Sequence, residues 1–226
     1  MLLENDQIPA NASQPQTSRV ERRKTRTRAA LLAAAKTLFA GQGVESTTIA
    51  DIAERADIAV GSFYNYFSTK DDLLAALLEL SLSEQLAALQ MRQAQVDDPA
   101  EAISIAHRHL VEVAQSDPDW AWLLVRLEVP HRITSVVLGQ AARRDLQQAI
   151  EAGRFAVGNA EVALMASGGA LIAVMHSLLN GDLTGEVACD HAEGVLRSFG
   201  LDRTEAAEIA HRPLPELGET ESKEPT

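Results

Sequence analysis

The chain has 226 residues, 46% of them hydrophobic, and a net charge of -12. That supplies apolar side chains for a buried core, in one large domain or a small domain joined to a larger one. Cys189 is the single cysteine, which excludes an intrachain disulfide and a cysteine-built zinc site. The first ten residues lack a basic stretch followed by an apolar one, and no run of about 18 apolar residues free of charge is read along the chain. Neither a signal peptide nor a membrane span is expected, and the expected location is cytoplasmic.

The charge is unevenly placed. Residues 1–70 hold nine Lys and Arg against seven Asp and Glu, while the rest hold eleven against twenty-five. Seven of the basic residues fall between Arg19 and Lys36, with Glu21 the one acid among them. One end is therefore cationic and the body acidic, a layout that lets one face approach a polyanion while the rest is repelled.

Residues 1–18 are rich in Gln, Asn, Ser and Pro without an apolar period, and a disordered arm is expected there. A first helix is read over residues 20–40, with Leu31, Ala35, Leu38 and Phe39 on one face and Gly41 and Gly43 ending it. Thr48 and Asp51 form a capping-box start for a short second helix. A third covers 60–66, and a fourth begins near Thr69 and runs past Leu89. Asp98-Pro99-Ala100-Glu101 reads as N-cap, N1 proline and an N3 acid. Asp117-Pro118 opens another helix that Pro130 should end. Longer helices follow over 132–155, 160–180 and 186–199, the last with Gly200 and Leu201 placed for a C-terminal cap. Residues 212–226, rich in Pro and Glu, are expected to be a disordered tail. Nine main helices and no alternating strand pattern predict an all-α fold.

The informative stretch runs from Thr47 to Lys70. Ile49, Ile52, Ala53 and Ala56 share one face of the second helix, and Asp57 stands where the chain must turn. Aspartate tolerates a left-handed backbone better than most residues. Ile58 plugs the turn. Phe63 and Phe67, four apart, point back to the same small core, leaving Val60, Gly61, Ser62, Tyr64 and Tyr66 to face outward. Two short helices joined by a tight turn, the second opening with small residues, form a helix-turn-helix with a recognition helix.

This stretch resembles the TetR (tetracycline repressor) family, whose helix-turn-helix ends in a Gly-x-x-Tyr-x-x-Phe-x-x-Lys signature. Here it reads Gly61, Tyr64, Phe67 and Lys70, preceded by Thr47, Thr48, Ile52, Ala53 and Ala56 in the matching run. The resemblance covers about residues 20–75. It implies a helix-turn-helix DNA-binding domain over 19–70 and a helical ligand-binding and dimerisation domain over 71–211. It further implies that Thr48, Tyr64, Tyr66 and Lys70 contact phosphates while Val60, Gly61 and Ser62 sit over base edges. The chemistry agrees: hydroxyl groups and a lysine are ordinary phosphate donors, and a glycine admits close backbone approach. Arg26 and Arg28, in the basic run, are expected to follow the DNA backbone, with an ordinary solvated helix face as the alternative. Asp57 departs from the family's usual glycine, Ala59 from a capping serine, and Ile49 from a polar base-reading side chain.

Further along, the 160–180 helix is apolar on two sides and should be buried on two sides. Gly168 and Gly169 favour close backbone approach, and with Ile172, Val195 and Phe199 they are candidates for a homodimer contact. Candidate ligand residues are Trp122, Arg126, His131, Met165 and His176. Trp122 and Arg126 are four apart and share a helix face. His107 and His109 are two apart and diverge, so no metal site is expected, and no cofactor. No nucleophile elbow, phosphate loop or dinucleotide fingerprint supports an enzyme. The resulting expectation is a repressor released from a palindromic double-stranded operator by a small, mostly apolar ligand, with no membrane partner. The alternative is a DNA-binding organiser or partner-controlled factor without a small ligand.

Overall fold

The structure is a computed structural model that describes residues 19–126 and 134–217. Among these residues ten helices and no strands are found. The order is α1 (Arg19–Gln42), α2 (Ile49–Arg55), α3 (Val60–Phe63), α4 (Lys70–Gln93), α5 (Pro99–Ser116), α6 (Pro118–Arg126), α7 (Thr134–Glu151), α8 (Ala160–Leu179), α9 (Val187–Ser198) and α10 (Arg203–Ala210).

The starts follow local side-chain chemistry. Thr48 and Asp51 form a reciprocal capping box, and Thr69 and Asp72 form a second at α4. Asp98 caps α5 with Pro99 behind it, and Asn159 caps α8. Each such cap satisfies backbone N–H groups that have no partner within the helix, worth about 1 kcal/mol. The tenth helix is the one the sequence reading did not count. Asp202 starts it by accepting from the backbone N–H of Thr204 and Glu205, immediately after the turn at Gly200 that looked like the last helix end.

Three clusters of buried side chains hold the fold. The first joins Leu31, Ala35 and Phe39 of α1 to Ile52, Phe63 and Phe67, and continues into Leu73, Leu77 and Leu78 of α4 and Leu123 of α6. The core of the helix-turn-helix end therefore runs past residue 70, where the sequence reading placed its limit. A second cluster joins α5, α7, α9 and α10 through Leu146, Phe155, Leu196, Phe199 and Ile209. A third joins Leu82, Val111, Trp120, Leu124, Leu171 and Met175.

Part of the expected tail is pinned. Arg108 donates to the carbonyl of Arg212 at 2.7 Å, Arg212 pairs with Glu101, and Gln95 donates to the carbonyl of Glu216. Residues 212–217 thus lie across the α4–α5 connection. The expected arm over 1–18, the remainder of the tail and Pro130 lie outside the described residues.

Residues 162–179 contain no Asp, Glu, Lys or Arg. By length and composition α8 could cross a membrane, which the sequence reading did not register. The chain covers only a small part of it. Val162 is 62% and Met165 73% exposed, and Gly169, Ala173 and His176 continue that open face.

Candidate nucleic-acid interface

The turn between α2 and α3 has the required geometry. Asp57 has φ 55°, the one non-glycine residue with positive φ among those described. The N–H of Ile58 donates to the carbonyl of Ala53 at 3.0 Å, closing the reversal. Phe63 is fully buried and packs edge-on to Tyr64 and tilted to Phe67. This anchoring fixes which side of α3 faces out. Val60 is 46% and Tyr64 57% exposed, Gly61 is exposed, Ser62 is half-buried, and Tyr66 packs partly against the core. Ala59 precedes α3 without a side-chain cap, as its identity dictates.

Gly61 is informative because the protein does not need it. A Cβ built there meets nothing within 4 Å, and its φ is not positive. A helical glycine costs up to about 1 kcal/mol relative to alanine. With no internal packing reason for it, the small residue suits the close approach of something outside the chain.

The cationic side chains divide into two groups. Lys70 does not stand free: its ammonium donates to the carbonyl of Val44 at 2.6 Å and of Thr47 at 2.9 Å. It clamps the start of α4 to the loop that precedes Thr48. The Thr48 hydroxyl oxygen accepts from Asp51, and the Asp51 carboxylate accepts from Thr48. The backbone N–H of Thr48 holds the Asp51 carboxyl below the usual carboxylate range, with the Thr48 side chain as the second cause. Thr48 is exposed. Arg28 lies over the Phe67 ring at 5.3 Å, and Arg26 is exposed further up α1.

The residues expected for a ligand and a dimer contact are less of a set. Trp122 and His176 meet edge to face, ring centroids 5.9 Å apart. Met165 stands in the exposed α8 face instead. His131 and the side chain of Arg126 lie outside the described residues. Gly168 and Gly169 are exposed with open space beside them, and Ile172 packs partly into the third cluster. Val195 and Phe199 need correction as dimer-contact residues. Both are buried in their own chain's second cluster, where Phe199 meets Phe155 edge to face. The apolar side of α9 is spent on α5, leaving Asp190, Gly194 and Arg197 outward.

Sequence reasoning missed the junction at α6. Asp117 caps its first turn through the backbone N–H of Trp120 and pairs with Lys36 of α1. Thr37 of α1 donates to Asp119 at 3.0 Å. Leu123 sits in the first cluster while Trp120 and Leu124 sit in the third. Asp145 was missed as well. It is half-buried on α7, its carboxyl is held above the usual range by burial, and Gln93 of α4 donates to it. An isolated Asp carries no sequence signal of such a placement.

Comparison with known proteins agrees with this layout. Residues 31–77 match the family described as bacterial regulatory proteins, tetR family, and residues 98–212 match the tetracyclin repressor-like C-terminal domain. The regulator AcrR of Shigella flexneri is 34% identical over 90 residues, 40% of this chain and 41% of that protein. TcmR of Streptomyces glaucescens is 36% identical over 103 residues, 44% of each chain. The chain thus spans less than half the length of these curated relatives. The crystal structure of RolR in complex with resorcinol is 36% identical and superposes with a TM-score of 0.68, covering 87% of this chain and 98% of that one. FadR from Bacillus subtilis, solved with stearoyl-CoA, shares the fold at 17% identity and a TM-score of 0.66, covering 75% of this chain and 98% of that one. With both of its halves matched, the chain belongs to the tetR family of bacterial regulatory proteins.

Proposed function

We propose that the protein is a transcriptional repressor that binds a near-palindromic operator as a homodimer and is released by a small, mostly apolar ligand. The observation that carries the DNA-binding part is the outer face of α3. Val60, Gly61 and Tyr64 are exposed beside a cationic α1, and Gly61 has no internal reason to be small. Two such heads would enter successive major grooves about 34–36 Å apart. Phosphates would be met by Thr48, Tyr64, Arg26 and the third proton of Lys70, whose main task is to hold the loop before α2. Selection of duplexes from a random pool tests this: recovery of a two-fold symmetric site supports it, and binding that is flat from low to moderate salt overturns it.

The dimer contact is assigned to α8, whose open apolar face runs through Val162, Met165 and Gly169. An uncovered apolar helix face in an otherwise packed chain calls for a second surface, and a two-fold operator calls for two copies.

Ligand release is supported by the composition of the body. The Nε1 of Trp120 and Nε2 of His109 are buried without a hydrogen-bond partner among the described residues, and Trp122, His176 and Asp145 add aromatic and polar handles. RolR holds resorcinol, so small hydroxylated aromatics are the first probes. The relay would be α6 together with α4. Each has side chains in both the DNA-reading core and the third cluster, and Asp117 links the start of α6 to Lys36. A tenfold loss of DNA affinity requires about 1.4 kcal/mol of ligand preference for the non-binding state. Thermal-shift screening followed by DNA-release assays tests it. If no compound both stabilises the protein and releases DNA, control by a protein partner replaces the ligand.

A further inference from the structure

The imidazoles of His107 on α5 and His191 on α9 meet inside the chain. Nδ1 of His107 stands 3.0 Å from Nε2 of His191, with ring centroids 5.0 Å apart and planes at 59°. At that distance one nitrogen must donate a proton and the other must present a lone pair. Two neutral rings satisfy this. One added proton places a cation in the interior, and a second sets two cations against each other.

Among the described residues no carboxylate raises the proton affinity of either ring. On α5 itself Glu112 pairs with Arg92 of α4, Arg108 turns to the carbonyl of Arg212, and Glu101 pairs with Arg212. On α9 Glu193 pairs with Arg197, and Asp190 is exposed. Among the other helices packed on α5, Asp119 of α6 is held by Thr37 and Asp145 of α7 by Gln93. Glu161 of α8 is held by Arg143, and Glu205 of α10 by Arg154. His176 of α8 contacts Asn180, and Asp117, before α6, pairs with Lys36. Burial therefore dominates at both rings. It depresses His107 to about 3, with the charge of His191 as the second cause, and it also lowers His191.

We propose that the His107–His191 contact is an acid-sensitive latch between α5 and α9, closed while both rings are neutral and opened as the pair takes up protons. Its position gives it reach. α9 lies along α5, and α8 packs on both, so parting α5 from α9 disturbs the seat of the helix that carries the open apolar face.

The direction follows from linkage. Both rings bind protons more weakly in the folded chain than in the unfolded one, whose histidines titrate near 6.5. The stabilisation is fully present above about pH 7 and is lost as the pH falls from 6.5 toward the folded values. At pH 5 His107 alone lowers the folding equilibrium constant about thirtyfold relative to pH 8.

The experiment is urea unfolding of the full chain at pH 8 and pH 5, wild type against the double variant His107→Gln/His191→Gln, which keeps hydrogen-bonding groups but cannot titrate. The wild type is expected to lose at least about thirtyfold more in folding constant than the variant over that range. Equal pH dependence overturns the latch. Should the variant not fold, proton NMR titration of the wild-type imidazoles decides the matter. His107 is expected to stay neutral down to pH 5 and His191 to titrate below its ordinary value, and ordinary titration of both near 6.5 overturns the proposal.

Discussion

The DNA-reading end and the helical body settle their buried polar groups differently. At the DNA-reading end, the buried hydroxyl of Thr47 donates to the carbonyl of Gly43, and the remaining buried side chains are apolar. All five described residues with an unpartnered buried polar atom (Arg92, Ser104, Arg108, His109 and Trp120) fall between the end of α4 and the start of α6. The body also holds the His107–His191 pair and leaves the apolar α8 face open. An unpaired buried polar atom costs about 1–3 kcal/mol. The contrast lies in how far each region satisfies its own buried polar groups, fully at the small end and incompletely in the body.

The largest test of that contrast lies where the two regions share a side chain. Leu123→Ala removes a buried leucine of α6 from the DNA-reading core and should cost about 2–5 kcal/mol in chemical unfolding. A loss under about 1 kcal/mol would mean that the two cores are not joined there. Next comes the open face of α8. Gly169→Leu meets empty space within its own chain, so the helical signal should survive while overpacking at the contact costs about 1–3 kcal/mol. Sedimentation should then show dimer dissociation strengthened roughly five- to hundredfold, and an unchanged dimer would move the contact elsewhere.

Lys70→Met separates a clamp from a phosphate ligand. Losing two charge-assisted bonds to the carbonyls of Val44 and Thr47 should lower stability by about 1–3 kcal/mol, with weaker DNA binding as a consequence. An unchanged melting temperature with a salt slope smaller by about one would return Lys70 to the phosphates alone. The smallest effect on the fold is expected for Gly61→Ala, neutral or stabilising by up to about 1 kcal/mol. DNA affinity should nonetheless fall by at least about tenfold or change its sequence preference. Binding that is unaltered on every duplex would leave the glycine unexplained.

Much of the first region was legible because its determinants are local. Thr48 with Asp51, the left-handed Asp57, and Phe63 and Phe67 four residues apart all act over a few residues of chain. They determined α2, the turn and the exposure of Val60, Gly61 and Tyr64 without reference to anything distant, whereas Tyr66, read as outward, packs partly against the core. The same logic placed the starts of α5 and α6 at Asp98 and Asp117. It failed at α10 because the end signal at Gly200 and Leu201 was read as final, although Asp202 is an ordinary helix start.

Tertiary structure decided what spacing could not. Val195 and Phe199 have a helical period that says they face something apolar, but only the packing of α9 on α5 shows that this is their own chain. The α8 helix is apolar all round, and only the fold shows which side is covered. Lys70 reads as a cation at a helix start until the carbonyls of Val44 and Thr47, more than twenty residues earlier, are brought to it. His107 and His191 are 84 residues apart in sequence. Their contact exists because two helices lie side by side, and helical periodicity carries no information about which helix that neighbour will be.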